Sequence, residues 1–184
     1  MTRDHGPAMG RKSLTGDDDV KGYAPVQIAL HWIVVVIVAF QYFAHAGIEQ
    51  AWKAHFVGGQ PISETPALAY LHVAAGSLVL VLALLRIALR ITHGAPPPPH
   101  NEPRLLQFAS EAVHAAIYIL LLLLPLSGMT AWFIGAEVAG DAHSSMTGLL
   151  LAAIALHIAG ALFQHFIRRS QVMIRMLRAQ NTDG

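Results

Sequence analysis

Charged residues are so unevenly spaced along this chain that long uncharged runs stand out first. Four windows contain no Asp, Glu, Lys or Arg: between Lys21 and Glu49, between Glu64 and Arg86, between Glu111 and Glu137, and between Asp141 and Arg168. By subtraction they hold 27, 21, 25 and 26 residues. Each has an apolar centre: IVVVIVAF from Ile33, LVLVLALL from Leu78, IYILLLLLPL from Ile117 and LLLAAIALHIAGALF from Leu149. About 20 mostly apolar residues make a helix long enough to cross a bilayer. A helix is also the open-chain form that satisfies its own backbone in lipid. The pattern predicts an all-α, integral membrane four-helix bundle, with Pro125 as a kink in the third helix. Ala44-His45-Ala46 imitates a signal-peptidase site, but the preceding polar segment is long for such a signal, and Gln27, His31 and Gln41 are foreign to its apolar region. A retained first helix is expected.

Composition agrees with lipid as the solvent. The 184 residues are 54% hydrophobic and 12% charged, against about 25% charged in soluble domains. Eleven of the 12 basic residues fall on one side of the predicted topology: Arg3, Arg11, Lys12 and Lys21 before the first helix, Arg86, Arg90 and Arg104 around the second connection, and Arg168, Arg169, Arg175 and Arg178 after the last. Lys53 is the exception. The positive-inside rule then puts both termini and the middle connection in the cytoplasm. The expected organisation is a polar tail over residues 1–22, a transmembrane domain over 23–169, and a basic tail over 170–184. Pro96–Pro99 forms a spacer between helices two and three. In the last tail, Val172, Met173, Ile174, Met176 and Leu177 alternate with arginines, as in a helix lying on the inner leaflet or in a frayed end. Nothing points to nucleic acid as a partner; membrane lipid is the first one.

With no cysteine, the chain has neither thiolate metal sites nor a CxxCH haem attachment. It does have 11 histidines. His31, His45, His72, His114, His143 and His157 lie within the apolar windows, and His165 at the edge of the last. Ionisable side chains in a membrane are costly and mark function. The alternative for any single one is a hydrogen bond between helices. His143 and His157 are 14 residues apart, which returns to within ~40° of the same helix face after a rise of ~21 Å. His31 and His45 repeat that interval. One nitrogen ligand near each surface is the result, at two depths. Zinc favours three or four protein ligands close together, whereas haem needs one or two axial ligands and a flat apolar slot. Small residues beside the histidines, Ala74-Ala75-Gly76 and Gly160-Ala161, would open such a slot. By depth, His31 and His157 belong to the arginine-rich side, with His114 competing, and His72 and His143 to the other, with His45 competing.

The segments YAPVQIALHW, LAYLHVAAGSLVLVLALLRIALR, EAVHAAIYILLLLLPLSG and ALHIAGALFQHF, with the His143–His157 interval, resemble the bacterial cytochrome b561 family from about Tyr23 to Leu177. That resemblance implies two b-type haems per chain. It pairs His31 with His157 on the cytoplasmic side and His72 with His143 on the outer side, and implies exchange with ubiquinone on the cytoplasmic side. His114, Gln164 and His165 match the region where the family handles quinone and its protons. Arg86 and Arg90 are expected either to hold haem propionates or to anchor the helix end by snorkelling.

The function expected is that of an electron carrier from an outer-side donor to the quinone pool. One branch of the family is superoxide oxidase. Against that activity, the outer side of this chain sets Lys53 against Glu49, Glu64, Glu137 and Asp141, a balance of −3 facing an anion. A cytochrome b anchor subunit of a larger redox enzyme and a haem-free proton relay are the other readings.

Overall fold

The computed structural model describes residues 22–58, 67–94, 96–97 and 102–177. The expectations for residues 1–21, for Glu64, for Pro98 and Pro99 and for residues 178–184 lie outside that set. Helix α1 covers Pro25–Trp52 and runs on into a π-helical turn, Lys53–Val57. Then follow α2 (Ala67–His93), α3 (Arg104–Ile134), α4 (Glu137–Phe166) and a short α5 (Val172–Leu177). Four of these are long and apolar enough to cross a membrane, so the uncharged windows became helices, each extended by a turn or more into its polar flanks.

Local chemistry sets the ends. Pro25 occupies the first turn of α1, where its missing N–H is no loss. The Gln27 side chain folds back so that its Oε1 accepts from the Ala24 N–H at 3.1 Å. Helix α3 passes through Pro125 as one element. It stops at Gly135, whose φ of 71° is left-handed and whose N–H closes on the Ala131 carbonyl at 2.9 Å. Ala136 is extended and caps α4. Two residues therefore reverse the chain, and α4 begins at Glu137, five positions before the uncharged window opens at Ala142. His143 consequently sits in the second turn of the helix, already inside the bundle.

The middle of the bundle is held by Val34, Val38, Val79, Ala83, Leu121, Leu124 and Leu150, all buried. Outward, Val36, Phe43, Val81, Ile119, Leu149 and Leu156 are among many large apolar side chains left exposed. Water would not tolerate so continuous an apolar surface on a monomer, and lipid does. Close backbone packing follows the chain, α1 on α2, α2 on α3 and α3 on α4. Among the described residues α1 and α4, and likewise α2 and α4, have no comparable packing. Those two gaps are where the histidines lie.

The two ends differ. At the end bearing the arginines, Gln27 Nε2 donates to the Gly94 carbonyl (3.4 Å) and Arg175 Nη1 to the Pro97 carbonyl (2.9 Å). The Trp32 indole N–H reaches the Met176 carbonyl at 3.0 Å. The C-terminal segment is thereby a docked strap rather than a frayed end, although Ile174 and Leu177 still face outward. At the opposite end Trp52 stacks on Phe56 (centroids 4.1 Å), and Phe56 meets Trp132 edge-on at 6.4 Å. Aromatic rings of this kind settle at a membrane interface.

Candidate haem sites

Two pairs of imidazoles face one another across the gaps. His31 on α1 and His157 on α4 have ring centroids 6.3 Å apart, and His72 on α2 and His143 on α4 have theirs 6.2 Å apart. The near-identity is informative. A metal–imidazole bond is about 2 Å, and the ring nitrogen stands about 1 Å from the ring centre. Two imidazoles sharing one iron therefore have centroids roughly 6 Å apart. Each pair is spaced for one iron between its two rings. Each also bridges helices that do not pack closely. The residues present fit haem.

At the Trp132 end, three groups fix His143. Its Nδ1 donates to the Leu124 carbonyl at 2.8 Å, with the Ser127 hydroxyl at 3.4 Å. A proton held on Nδ1 leaves Nε2 with the lone pair that a metal requires. Gly128 supplies the space: a Cβ there would stand 3.0 Å from both Cε1 and Nδ1 of the ring. Across the gap, Gln41 Nε2 donates to the backbone carbonyl of His72 at 3.0 Å. His45 is half-buried and lies within electrostatic range of His72, His143 and Glu49. Glu49 pairs with Lys53 at 2.6 Å on the exposed surface.

At the arginine end, the site holds three imidazoles. His114 Nδ1 donates to the Ser110 carbonyl at 2.6 Å, and its ring lies edge-on to His157 with centroids 4.9 Å apart. That separation is too short for an iron between His114 and His157, whereas 6.3 Å from His31 to His157 is not. Trp32 meets His31 edge-on at 5.4 Å. Arg86 is half-buried and within electrostatic range of His31 and His157, while Arg90, a turn further along, is exposed. Gln164 is engaged elsewhere: its Nε2 donates to Glu102 Oε1, and its Oε1 accepts from the Ser170 hydroxyl at 3.1 Å. His165 stacks edge-on against Phe166. Of the residues read as a quinone region, the structure thus places His114 at the histidine cluster, and ties Gln164 into the α2–α3 connection and the strap.

Sequence reasoning passed over Gln41, Leu124, Gly128 and Glu102. Gln41 had a signal, as an amide in an apolar window. Leu124 acts through its backbone, which its side chain does not reveal.

Transmembrane helices carrying two such histidine pairs define a membrane cytochrome b. The chain belongs to the prokaryotic cytochrome b561 family, which it matches over residues 22–179. It is 31% identical over 160 residues to "Cytochrome b562" of Cereibacter sphaeroides, a match covering 85% of this chain and 96% of that one. Over 180 residues it is 25% identical to "Probable superoxide oxidase CybB" of Yersinia pestis, covering 85% and 96%. It is 27% identical over 180 residues to "Cytochrome b561 homolog 1" of Escherichia coli, covering 84% and 96%. The protein is a multi-pass bacterial membrane cytochrome of electron transfer, binding haem b.

Proposed function

We propose that this chain is a di-haem b electron carrier linking a donor at the outer face of the bacterial inner membrane to the ubiquinone pool on the cytoplasmic side. The observation that carries the reading is the pair of matched imidazole separations, 6.3 and 6.2 Å, at two depths on α4. His31 and His157 are the axial ligands of the inner haem, and His72 and His143 those of the outer. The arginine end is the cytoplasmic one, with the tails 1–22 and 170–184 on that side of the 23–169 bundle. When bound, the two haems supply one-electron chemistry across the bilayer. With two histidines to hold each haem, the group would supply electron transfer rather than oxygen binding. His114 holds its Nδ1 proton on a backbone carbonyl and presents Nε2 for proton exchange with quinone.

Haem stoichiometry tests the reading. Pyridine haemochrome analysis of the purified protein is expected to give two haems b per chain, with a reduced-minus-oxidised spectrum of low-spin haem. A ratio of one that does not change through purification excludes the paired assignment.

Among the described residues, Arg86 is a half-buried arginine within electrostatic range of His31 and His157, and so a candidate partner for the carboxylates of the inner haem. Positive charge beside an iron favours its reduced state. Arg86→Gln should lower the inner potential so that the reduced-to-oxidised ratio at a fixed poise falls about tenfold, a shift of about 59 mV for one electron. Arg90→Gln, at an exposed position, should leave it in place. A titration unmoved by Arg86→Gln would assign that arginine to membrane anchoring.

A superoxide:quinone activity is the second reading, favoured by the likeness to the Yersinia pestis protein. Against it, Lys53 is already paired with Glu49, and Glu137 and Asp141 are exposed at the same end. An anchoring role beside a larger redox subunit would be recognised by co-purification.

A further inference from the structure

Among the described residues, three buried side-chain polar atoms lack a hydrogen-bond partner: Gln41 Oε1, His72 Nδ1 and Arg175 Nε. The first two belong to residues already in contact, through Gln41 Nε2 and the His72 backbone carbonyl at 3.0 Å. Gly76, one turn along α2 from His72, makes that contact possible, because a Cβ there would stand 3.0 Å from Gln41 Nε2. The two orphans are complementary. An imidazole that gives Nε2 to a metal carries its proton on Nδ1 and needs an acceptor for it. An amide oxygen is such an acceptor. His143 has its own, the carbonyl of Leu124.

We infer that Gln41 is a positioning residue of the outer site, its amide oxygen accepting the Nδ1 proton of His72. The inference rests on the reading of His72 as an axial ligand. Both the last torsion of Gln and the ring torsion of His have broad minima, so neither atom is held away from the other by its own rotamer. The acceptor fixes the tautomer and the ring plane of His72. It also makes the imidazole a stronger donor to iron, which stabilises the oxidised state and holds the outer potential down.

The test is a spectropotentiometric titration of the haem-loaded, detergent-purified protein, with the inner haem as internal reference. Gln41→Met keeps the volume and removes the acceptor. Gln41→Glu keeps an acceptor and removes the amide donor to the His72 carbonyl. The expected result is an outer potential raised in Gln41→Met, the reduced-to-oxidised ratio at fixed poise rising about tenfold (about 59 mV), and a potential at or below wild type in Gln41→Glu. A purely structural contact would move both variants in the same direction, since both lose the amide donor. That outcome, or no movement in Gln41→Met with both haems bound, overturns the inference. Should Gln41→Met shed the outer haem, Gln41→Glu decides: retention with a potential at or below wild type supports the inference, and loss in both overturns it. His72→Ala separates the two levels. If it leaves both haems bound, the ligand assignment itself has failed; if it removes one, only the role of Gln41 is in question.

Discussion

His31→Ala and His157→Ala are each expected to strip the same haem, and His72→Ala and His143→Ala the other, leaving about one haem per chain in all four variants. The physical reason lies in the gaps. Each histidine pair joins helices that otherwise lack close packing, α1 to α4 and α2 to α4. A haem there would be held by two imidazoles and by apolar contact with helices whose backbones do not pack closely. Replacing one imidazole by a methyl group removes an axial bond and opens a cavity at the iron. The same haem should be lost, or turned high-spin, whichever partner is removed. Spectra of the four variants should therefore fall into two classes, each missing one component of the wild-type potentiometric curve. His114→Ala is the control. At 4.9 Å from His157, centroid to centroid, His114 is too close to share an iron with it. It should keep both haems, and loss of the inner haem as complete as in His31→Ala would overturn the inner pairing.

How much of this was legible in the sequence depends on the kind of interaction. The helices were, because lipid imposes a length and an absence of charge that can be counted along the chain. The two depths on α4 were also legible, since a 14-residue interval fixes both rise and face on a helix. Which histidine meets which was not legible in the spacing and came only from the family resemblance. His31, His114 and His157 share a depth, and only the placement of α1 and α3 about α4 separates a 6.3 Å pair from a 4.9 Å one. The supports of the ligands were least visible. Leu124 acts through a carbonyl, Gly128 through a missing Cβ, and Gln164 joins Glu102 and Ser170 through the path of a connection and a strap. An unpartnered buried polar atom costs about 1–3 kcal/mol, so such partners are set by three-dimensional accounting that periodicity does not contain.

Reduced protein should be reoxidised by a short-chain ubiquinone, and His114→Ala should slow that step about 100-fold while both haems stay bound. Quinone reduction consumes protons as well as electrons. The histidine cluster at the arginine end has an imidazole to spare: His31 and His157 are spaced for iron, while His114 keeps its Nδ1 on the Ser110 carbonyl and its other nitrogen available. Positioned general acid–base groups contribute about 10²–10⁴-fold, which sets the size of the loss. If His114→Ala reoxidises at the wild-type rate, the proton enters elsewhere. The opposite face bears on the donor. Its described charges are the Glu49–Lys53 pair and the exposed Glu137 and Asp141, so a cationic donor or a basic partner protein is favoured there over an anion. Superoxide should accordingly reduce the oxidised protein slowly, and faster as salt screens the carboxylates over a Debye length of ~8 Å. Fast reduction by superoxide that slows with added salt would mean that the outer face attracts anions after all, and superoxide oxidation would then displace the general electron-carrier reading.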